Sequence, residues 1–244
     1  FVLLYLLTVE NGLAYIFSAG SGLVPLLKHQ IYPDAATSYD PNNFDGVYKQ
    51  VVEEKITGIP LIFGSTVGIS LHKYPGIMAH MINTQDTLAP YYLRLTNGKE
   101  IKGVFDSTTI TVVLVQLLKY LGFDPLIFVG QNLAYRGEYR YAGGIPYYNP
   151  AVNENWLKGA FLVDAVDGEK VYTNESLNRM RLELQALISN YRQGEFINTT
   201  KGGAKIEGTV FTPFEEIIDK RLKNRVVDPD WFPTSFSCVY DLEH

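Results

Sequence analysis

Short apolar runs alternate with turns and amphipathic stretches along most of the chain. The runs 13–18, 35–39, 61–63, 77–82 and 126–129 are nearly continuous in apolar residues, as is typical of strands buried on both faces of a parallel sheet. The amphipathic stretches between them predict helices, in the order that a chain of βαβ units has. We therefore predict an α/β fold, a Rossmann-like three-layer sandwich with a mainly parallel sheet.

The helical pattern is clearest after Asp106-Ser107-Thr108, which can cap a helix that runs to Leu121. Further helices are predicted over 44–55, 174–192 and 214–222. A hairpin with an Asp-Gly turn is predicted over 161–172. Residues 136–155 are rich in Gly, Tyr and Pro without clear periodicity, which is typical of a lid, a binding loop or a disordered segment.

Composition narrows the class of protein. The 244 residues are 46% hydrophobic and 19% charged, which is globular composition, and the net charge of −5 argues against a nucleic-acid partner. The single cysteine, Cys238, forms no intramolecular disulfide, which fits a reducing, cytoplasmic location. The opening apolar run over 1–7 is too short for a membrane span. No linker is evident, so we expect one domain over 1–241, with 242–244 as a tag remnant.

Polar residues follow four of the predicted strands. In a parallel α/β sheet, ligands bind at the carboxyl ends of the strands. Gly20-Ser21-Gly22 lies where a helix N-terminus could bind phosphate, although a glycine turn joining strand to helix explains the same spacing. The third glycine of a dinucleotide fingerprint is absent, and so is a P-loop. The other three clusters are Asp40-Pro41-Asn42, Gly64-Ser65-Thr66 and Gly130-Gln131-Asn132.

Carboxylates and histidines supply few further candidates for a ligand or metal site. Asp34 and Asp40 flank the second strand and could hold a ribose hydroxyl or a divalent cation, although caps and turn formers also occupy such positions. His29, His72 and His80 lack the spacing of zinc ligands, so we expect them to be surface or core residues.

Four segments of the chain form a recognisable pattern. The most specific is Gly130-Gln131-Asn132-Leu133-Ala134-Tyr135, which follows Ser107-Thr108-Thr109 and the run 121–129. The others are the turn 18–23, the segment from Pro33-Asp34 to Asp40-Pro41, and the block Asn198-Thr199-Thr200-Lys201-Gly202-Gly203-Ala204. In this order the four segments resemble the motility accessory factor family. That family has Asp at position 132, where this chain has Asn, and Pro-Ser at Ser21-Gly22.

The resemblance implies a sialyltransferase-like fold and two activities. Bacterial members transfer nonulosonic acids from CMP-sugars to Ser or Thr of flagellin, and an archaeal branch is a 6-hydroxymethylpterin diphosphokinase that uses ATP and Mg²⁺. We expect a glycosyltransferase-like protein that takes a CMP-activated, sialic-acid-like sugar, has a protein acceptor such as flagellin, and needs no resident cofactor. The alternatives are a non-catalytic nucleotide-sugar-binding module and a diphosphokinase with Asp34 and Asp40 near its Mg²⁺. On this resemblance, we expect the chain to be either a stand-alone core of the family's fold or an excised domain.

The resemblance and the strand-end positions together define the expected site. Gln131 and Asn132 are the candidates for a catalytic role, and no base or metal ligand of a transferase is identified. The residues expected to bind the nucleotide or substrate are Gly20, Ser21, Gly22, Asp40, Ser107, Thr108, Gln131, Asn132, Tyr135, Asn198, Thr200, Gly202 and Gly203.

Overall fold

The computed structural model describes residues 12–40, 44–93, 101–135 and 159–236. They group into two compact units, one formed by the residues up to Leu117 and from Asn224 onward, the other by Leu118–Lys223. One domain over 1–241 stays a prediction. Pro41 and Asn42, the predicted loop 136–155, Cys238 and the segment 242–244 lie outside the described residues.

The first unit contains a four-stranded, entirely parallel sheet. Its strands lie side by side in chain order: β1 Phe17–Ala19, β2 Ala35–Ser38, β3 Leu61–Gly64 and β4 Met78–Met81. The prediction of an α/β fold with a mainly parallel sheet is confirmed. Strand β1 begins later than the predicted residue 13, and just before it Ile16 donates its N–H to the Asp34 carboxylate instead of to a strand.

Two helices of the first unit connect the first three of these strands, and two more follow β4. They are α1 Leu23–Lys28, α2 Phe44–Glu53, α3 Ala89–Tyr92 and α4 Ile110–Tyr120, and α4 continues into the second unit. Short 3-10 turns span Gly20–Gly22 and Ile69–Lys73.

The core of the first unit lies between β2, β3 and helices α1 and α2. Every residue of β2 is buried, so the strand needs apolar neighbours on both of its faces. The buried residues of this core are Leu23, Leu27, Ala36, Val47, Tyr48, Val51, Ile59, Leu61 and Tyr74. The Tyr74 hydroxyl donates to the Ile59 carbonyl at 2.7 Å, which satisfies a polar group inside this apolar cluster.

The second unit contains a parallel sheet and a hairpin. In chain order its strands are β5 Leu126–Phe128, β6 Phe161–Asp164, β7 Lys170–Thr173, β8 Phe196–Asn198 and β9 Val210–Phe211. Strand β8 pairs in parallel with β5 and β9, and β6 pairs antiparallel with β7. The hairpin turn holds Gly168 at φ +89°, as the Asp-Gly prediction requires.

Helices α5 Glu175–Ser189 and α6 Phe214–Lys220 complete the second unit, and α7 Trp231–Phe236 belongs to the first. Asn174 caps α5 by accepting the Leu177 N–H at 2.8 Å. Within the described residues, no helix is long and apolar enough to cross a lipid bilayer.

Packing at β3 gives a direct test of this architecture. Ile62 is fully buried, whereas Ile77 is 49% exposed. We expect Ile62→Ala to lower the free energy of unfolding by about 2–4 kcal/mol, because it leaves a cavity in a packed sheet. Ile77→Ala removes the same atoms from a largely solvated position, so its cost should be below about 1 kcal/mol. Urea denaturation of both variants measures the difference, and equal losses would contradict the placement of β3.

Candidate functional site

The residues predicted to bind phosphate form the turn after β1. Gly20, Ser21 and Gly22 make a 3-10 turn at the carboxyl edge of the four-stranded sheet. Gly20 has φ +50°, in the left-handed region that glycine adopts without steric cost. A Cβ on Gly20 would lie 3.5 Å from Cγ2 of Ile110, the first residue of α4. The turn therefore lies beside the N-terminal end of α4.

The segment before α4 is tied to the end of β2. The Tyr39 hydroxyl donates to the Ser107 carbonyl at 2.5 Å. Ser107 Oγ accepts the Thr109 N–H at 3.4 Å, and Thr109 Oγ1 accepts the Thr111 N–H at 3.2 Å. Thr109, one residue after the predicted capping segment 106–108, thus caps α4, and Ser107 holds the backbone just before it. The predicted site residues of the first unit lie after β1, after β2 or before α4, and these contacts link the three positions.

Asp34 and Asp40 lie at opposite ends of β2. Asp34 precedes the strand and accepts the Ile16 N–H at 2.7 Å. Burial raises the pKa of its carboxyl. Asp40 follows the strand and is exposed. Because a four-residue strand is about 13 Å long, the two carboxylates do not fit a single Mg²⁺.

Two buried hydroxyls at the sheet were not identified from the sequence. Among the described residues, Ser18 Oγ in β1 and Thr37 Oγ1 in β2 have no hydrogen-bond partner. A Cβ on Gly22 would lie 3.5 Å from Ser18 Oγ, so this hydroxyl is next to the phosphate-binding candidates. A buried polar group without a partner calls for an explanation, and a bound polar ligand is one. In the sequence, such a residue can be recognised as a Ser or Thr within an apolar run.

In the second unit, the end of β8 holds the segment after β5. Thr200 Oγ1 accepts the Gln131 N–H at 3.0 Å. Asn198 Oδ1 in turn accepts the Thr200 N–H at 2.9 Å. Asn198 is fully buried, and its Nδ2 has no hydrogen-bond partner among the described residues. Gln131 is therefore tied to Thr200, 69 residues away in the sequence, and through it to Asn198.

The same contacts extend to Asn132 and the glycine pair. The Asn132 carbonyl accepts the Ala204 N–H at 2.8 Å. A Cβ on Gly203 would lie 3.0 Å from this carbonyl oxygen, which is tighter than nearly all Cβ contacts, so the close approach requires glycine. Gly202 has φ +73° in the same turn. The structure thus fixes the backbone of Asn132 and leaves its amide side chain half-buried.

Tyr135 packs into the second unit. Its ring is buried, its N–H donates to the Tyr172 carbonyl at 2.8 Å, and its hydroxyl accepts from Asn174 Nδ2 at 2.6 Å. These contacts join the segment after β5 to β7 and α5. A role for Tyr135 in ligand binding stays a prediction.

A further polar cluster lies at the carboxyl ends of β3 and β4. Ser65 Oγ lies 2.7 Å from His80 Nε2 and also hydrogen-bonds Asp86 Oδ2. The His80 ring stacks on the Phe63 ring with a centroid separation of 5.0 Å. From the sequence, Ser65 is only a polar residue after a strand, and His80 is expected at a surface or core position. Proximity to the strand ends was the available signal for both.

The structure therefore brings together two groups of predicted residues, each within its own unit. The first comprises Gly20, Ser21, Gly22, Asp40, Ser107 and Thr108, and the second comprises Gln131, Asn132, Asn198, Thr200, Gly202 and Gly203. That the two groups form one ligand site stays a prediction.

The hydrogen bond from Gln131 to Thr200 gives a test of the second group. Thr200→Val keeps the side-chain shape but removes the oxygen that accepts the Gln131 N–H. We expect faster hydrogen exchange at the Gln131 amide and a loss of about 1–2 kcal/mol in the free energy of unfolding. Thr200→Ser keeps the acceptor and is the control. Unchanged exchange in Thr200→Val would contradict this contact.

Comparison with known proteins gives one family, one protein of similar sequence and one structure of similar fold. The family model described as 6-hydroxymethylpterin diphosphokinase MptE-like matches residues 4–138. The uncharacterized protein MJ1393 of Methanocaldococcus jannaschii is 26% identical over 191 residues, which cover 71% of this chain and 28% of that protein.

Among solved structures, the MAf glycosyltransferase from Magnetospirillum magneticum AMB-1 has a similar fold, with a TM-score of 0.67 and 20% sequence identity. The similarity covers 95% of this chain and 34% of that one, so this chain spans about a third or less of the length of both relatives. The matched family model covers more than half of the chain and includes the turn after β1, the amino end of α4 and the Gln131–Tyr135 segment. The chain belongs to the MptE-like family.

Proposed function

We propose that this chain is the nucleotide-sugar-binding core of a glycosyltransferase that acts in the cytoplasm. The donor would be a CMP-activated nonulosonic sugar, and the acceptor a hydroxyl of a protein such as flagellin. The observation that carries the proposal is the similarity of 95% of the chain to a glycosyltransferase fold, with a TM-score of 0.67. The positions of the candidate residues at the carboxyl edges of parallel strands support it.

Such a transfer requires only a few tasks of the protein. The CMP phosphate leaves, so the protein has to stabilise a phosphate with hydrogen-bond donors and hold the sugar in place. Backbone N–H groups of the turn Gly20–Gly22 and of the start of α4 would serve the phosphate. In the second unit, taken by itself, the amide groups of Gln131, Asn132 and Asn198 are the candidates for hydrogen bonds to a base or a sugar.

The sequence is compatible with two other functions. The family description favours a diphosphokinase, which needs carboxylates to hold Mg²⁺ between phosphates. Asp34 and Asp40 lie at opposite ends of β2, so the predicted pair does not supply such a site. A non-catalytic nucleotide-sugar-binding module is compatible with the neutral amide at Asn132.

Nucleotide selectivity tests the proposal. By calorimetry we expect the chain to bind CMP in the absence of Mg²⁺, and to bind it more tightly than AMP or ATP. Gly20→Ala places a side chain at φ +50° beside Ile110, so CMP affinity should fall about ten-fold, or about 1.4 kcal/mol.

The matched control is Gly58→Ala, where a Cβ meets nothing within 4 Å and the affinity should stay unchanged. Binding of ATP only in the presence of Mg²⁺, with no binding of CMP, would favour the diphosphokinase and contradict the proposal.

Asn132 is expected to affect turnover more than binding. An amide cannot take up a proton at ordinary pH, whereas its oxygen still accepts hydrogen bonds. We expect Asn132→Asp to raise the rate of CMP release from CMP-N-acetylneuraminic acid and to leave CMP affinity within a few-fold, or under about 1.4 kcal/mol. The backbone carbonyl that accepts the Ala204 N–H is unaffected by the change. Equal turnover in the two proteins would show that position 132 only forms the turn after β5.

A further inference from the structure

A groove lies at the amino edge of the four-stranded sheet, opposite the edge that carries the turn Gly20–Gly22. It has a volume of about 250 Å³, and residues of the first unit alone line it. Its walls come from the segment 12–16 before β1, from the segment 30–34 before β2, and from the segment 225–227. None of these lining residues is among those expected to bind the nucleotide-sugar, so the groove is separate from that site.

Backbone hydrogen bonds fix the walls of this groove. The Ile16 carbonyl accepts the Asp34 N–H at 2.8 Å, which joins the first two segments. The Gly12 carbonyl accepts the N–H groups of Val226 and Val227 at 2.8 and 3.1 Å, which joins the third segment to the first. The groove is therefore built on an ordered backbone, and the side chains that line it have fixed points of attachment.

Asp34 brings a half-buried carboxylate to the groove. Its Oδ2 accepts the Ile16 N–H at 2.7 Å. Burial raises the pKa of this carboxyl, and the backbone hydrogen bonds that it accepts oppose the shift without the help of a nearby cation. An ammonium group placed beside Asp34 would replace the solvation that the carboxylate has lost on burial.

Arg225 brings a positive charge to the same groove. Its side chain lies against Gly12, where a Cβ would be 3.0 Å from Arg225 Nε. The ion pairs among the described residues include neither Arg225 nor Asp34, so the groove contains one free charge of each sign. A guanidinium with free N–H groups binds a carboxylate through two parallel hydrogen bonds.

Apolar surface and a small volume complete the description of the groove. Ile16 and Val227 are half-buried and contribute aliphatic carbons, and Tyr32 contributes an exposed ring. A cavity of about 150 Å³ holds one benzene molecule. By the same proportion, the groove of about 250 Å³ suits a molecule of roughly ten non-hydrogen atoms, which is far smaller than a nucleotide-sugar.

We propose that the groove is a binding site for a small zwitterion, an α-amino acid with an apolar side chain. The ammonium group of the ligand donates to Asp34, and its carboxylate accepts from Arg225. Its side chain packs against Ile16 and Val227. The ligand thus bridges two opposite charges that do not pair with each other. This site goes beyond the proposed function and does not depend on it.

Asp34 also has a structural role, which the choice of variants separates from ligand binding. Asp34→Asn keeps an oxygen that accepts the Ile16 N–H and removes only the charge. Arg225→Gln removes the guanidinium and leaves the backbone contacts of its segment in place. The matched controls are Asp45→Asn and Lys73→Gln, which remove exposed charges of the first unit outside the groove.

Three molecules of the same shape separate the two charges of the ligand. L-leucine carries both, 3-methylbutylamine lacks the carboxylate, and 4-methylpentanoate lacks the ammonium group. The ¹⁵N-labelled full chain is titrated with each molecule, and the amide signals of Ile16 and Val227 report on occupancy of the groove. We expect L-leucine to bind about ten-fold more tightly than either of the other two. Equal affinity for all three molecules, or no saturable shift of these signals by L-leucine, would overturn the proposal.

The variants then assign each charge of the ligand to its partner. In Asp34→Asn, L-leucine should bind no more tightly than 4-methylpentanoate, because the ammonium group has lost its partner. In Arg225→Gln, it should bind no more tightly than 3-methylbutylamine, and both control variants should bind as the wild type does. A wild-type preference for L-leucine in either groove variant would overturn the proposal. A chain that binds CMP but not L-leucine would contradict the zwitterion site alone, and the reverse result would contradict the proposed function alone.

Discussion

The parallel pairing of β2 with β1 and β3 is the constraint on which the first unit depends. Every residue of β2 is buried, so the strand is stable only with a neighbour on each side and helices over both faces. Parallel pairing then directs the carboxyl ends of all four strands to one edge. For this reason that edge carries the turn Gly20–Gly22, Asp40, Ser65 and His80. Asp34 lies at the opposite edge of the sheet.

In the second unit, too, polar groups lie at the ends of parallel strands, but the groups are different. Strand β8 is the central strand of its parallel sheet, and its last residue, Asn198, is fully buried. The Asn198 carboxamide oxygen holds Thr200, and Thr200 holds Gln131, so one buried amide orders the loops after two strands. The close approach of Gly203 to Asn132 depends on this order. The buried polar side chains Ser38, Thr173 and Asn198 each lie at the last residue of a strand.

The elements were largely predictable from the sequence because burial on both faces leaves continuous apolar runs, such as the one at Leu61–Gly64. The strand-end rule likewise predicted Gly20 and Gln131 as edge residues. The His80 cluster was not predictable, because its members are 15 and 21 residues from Ser65 and meet through the pairing of Phe63 with His80. An apolar pattern indicates that a strand exists but does not specify its register or its neighbour. The burial of Tyr135 was missed because its partners come from β7 and α5.

The central claim is that a nucleotide binds at the carboxyl edges of the parallel strands. A crystal structure of the full chain with CMP tests it most directly. We expect the phosphate within hydrogen-bond distance of the backbone N–H groups of Gly20–Gly22. CMP bound instead in the groove at the amino edge, lined by Asp34, Tyr32 and Arg225, would contradict it.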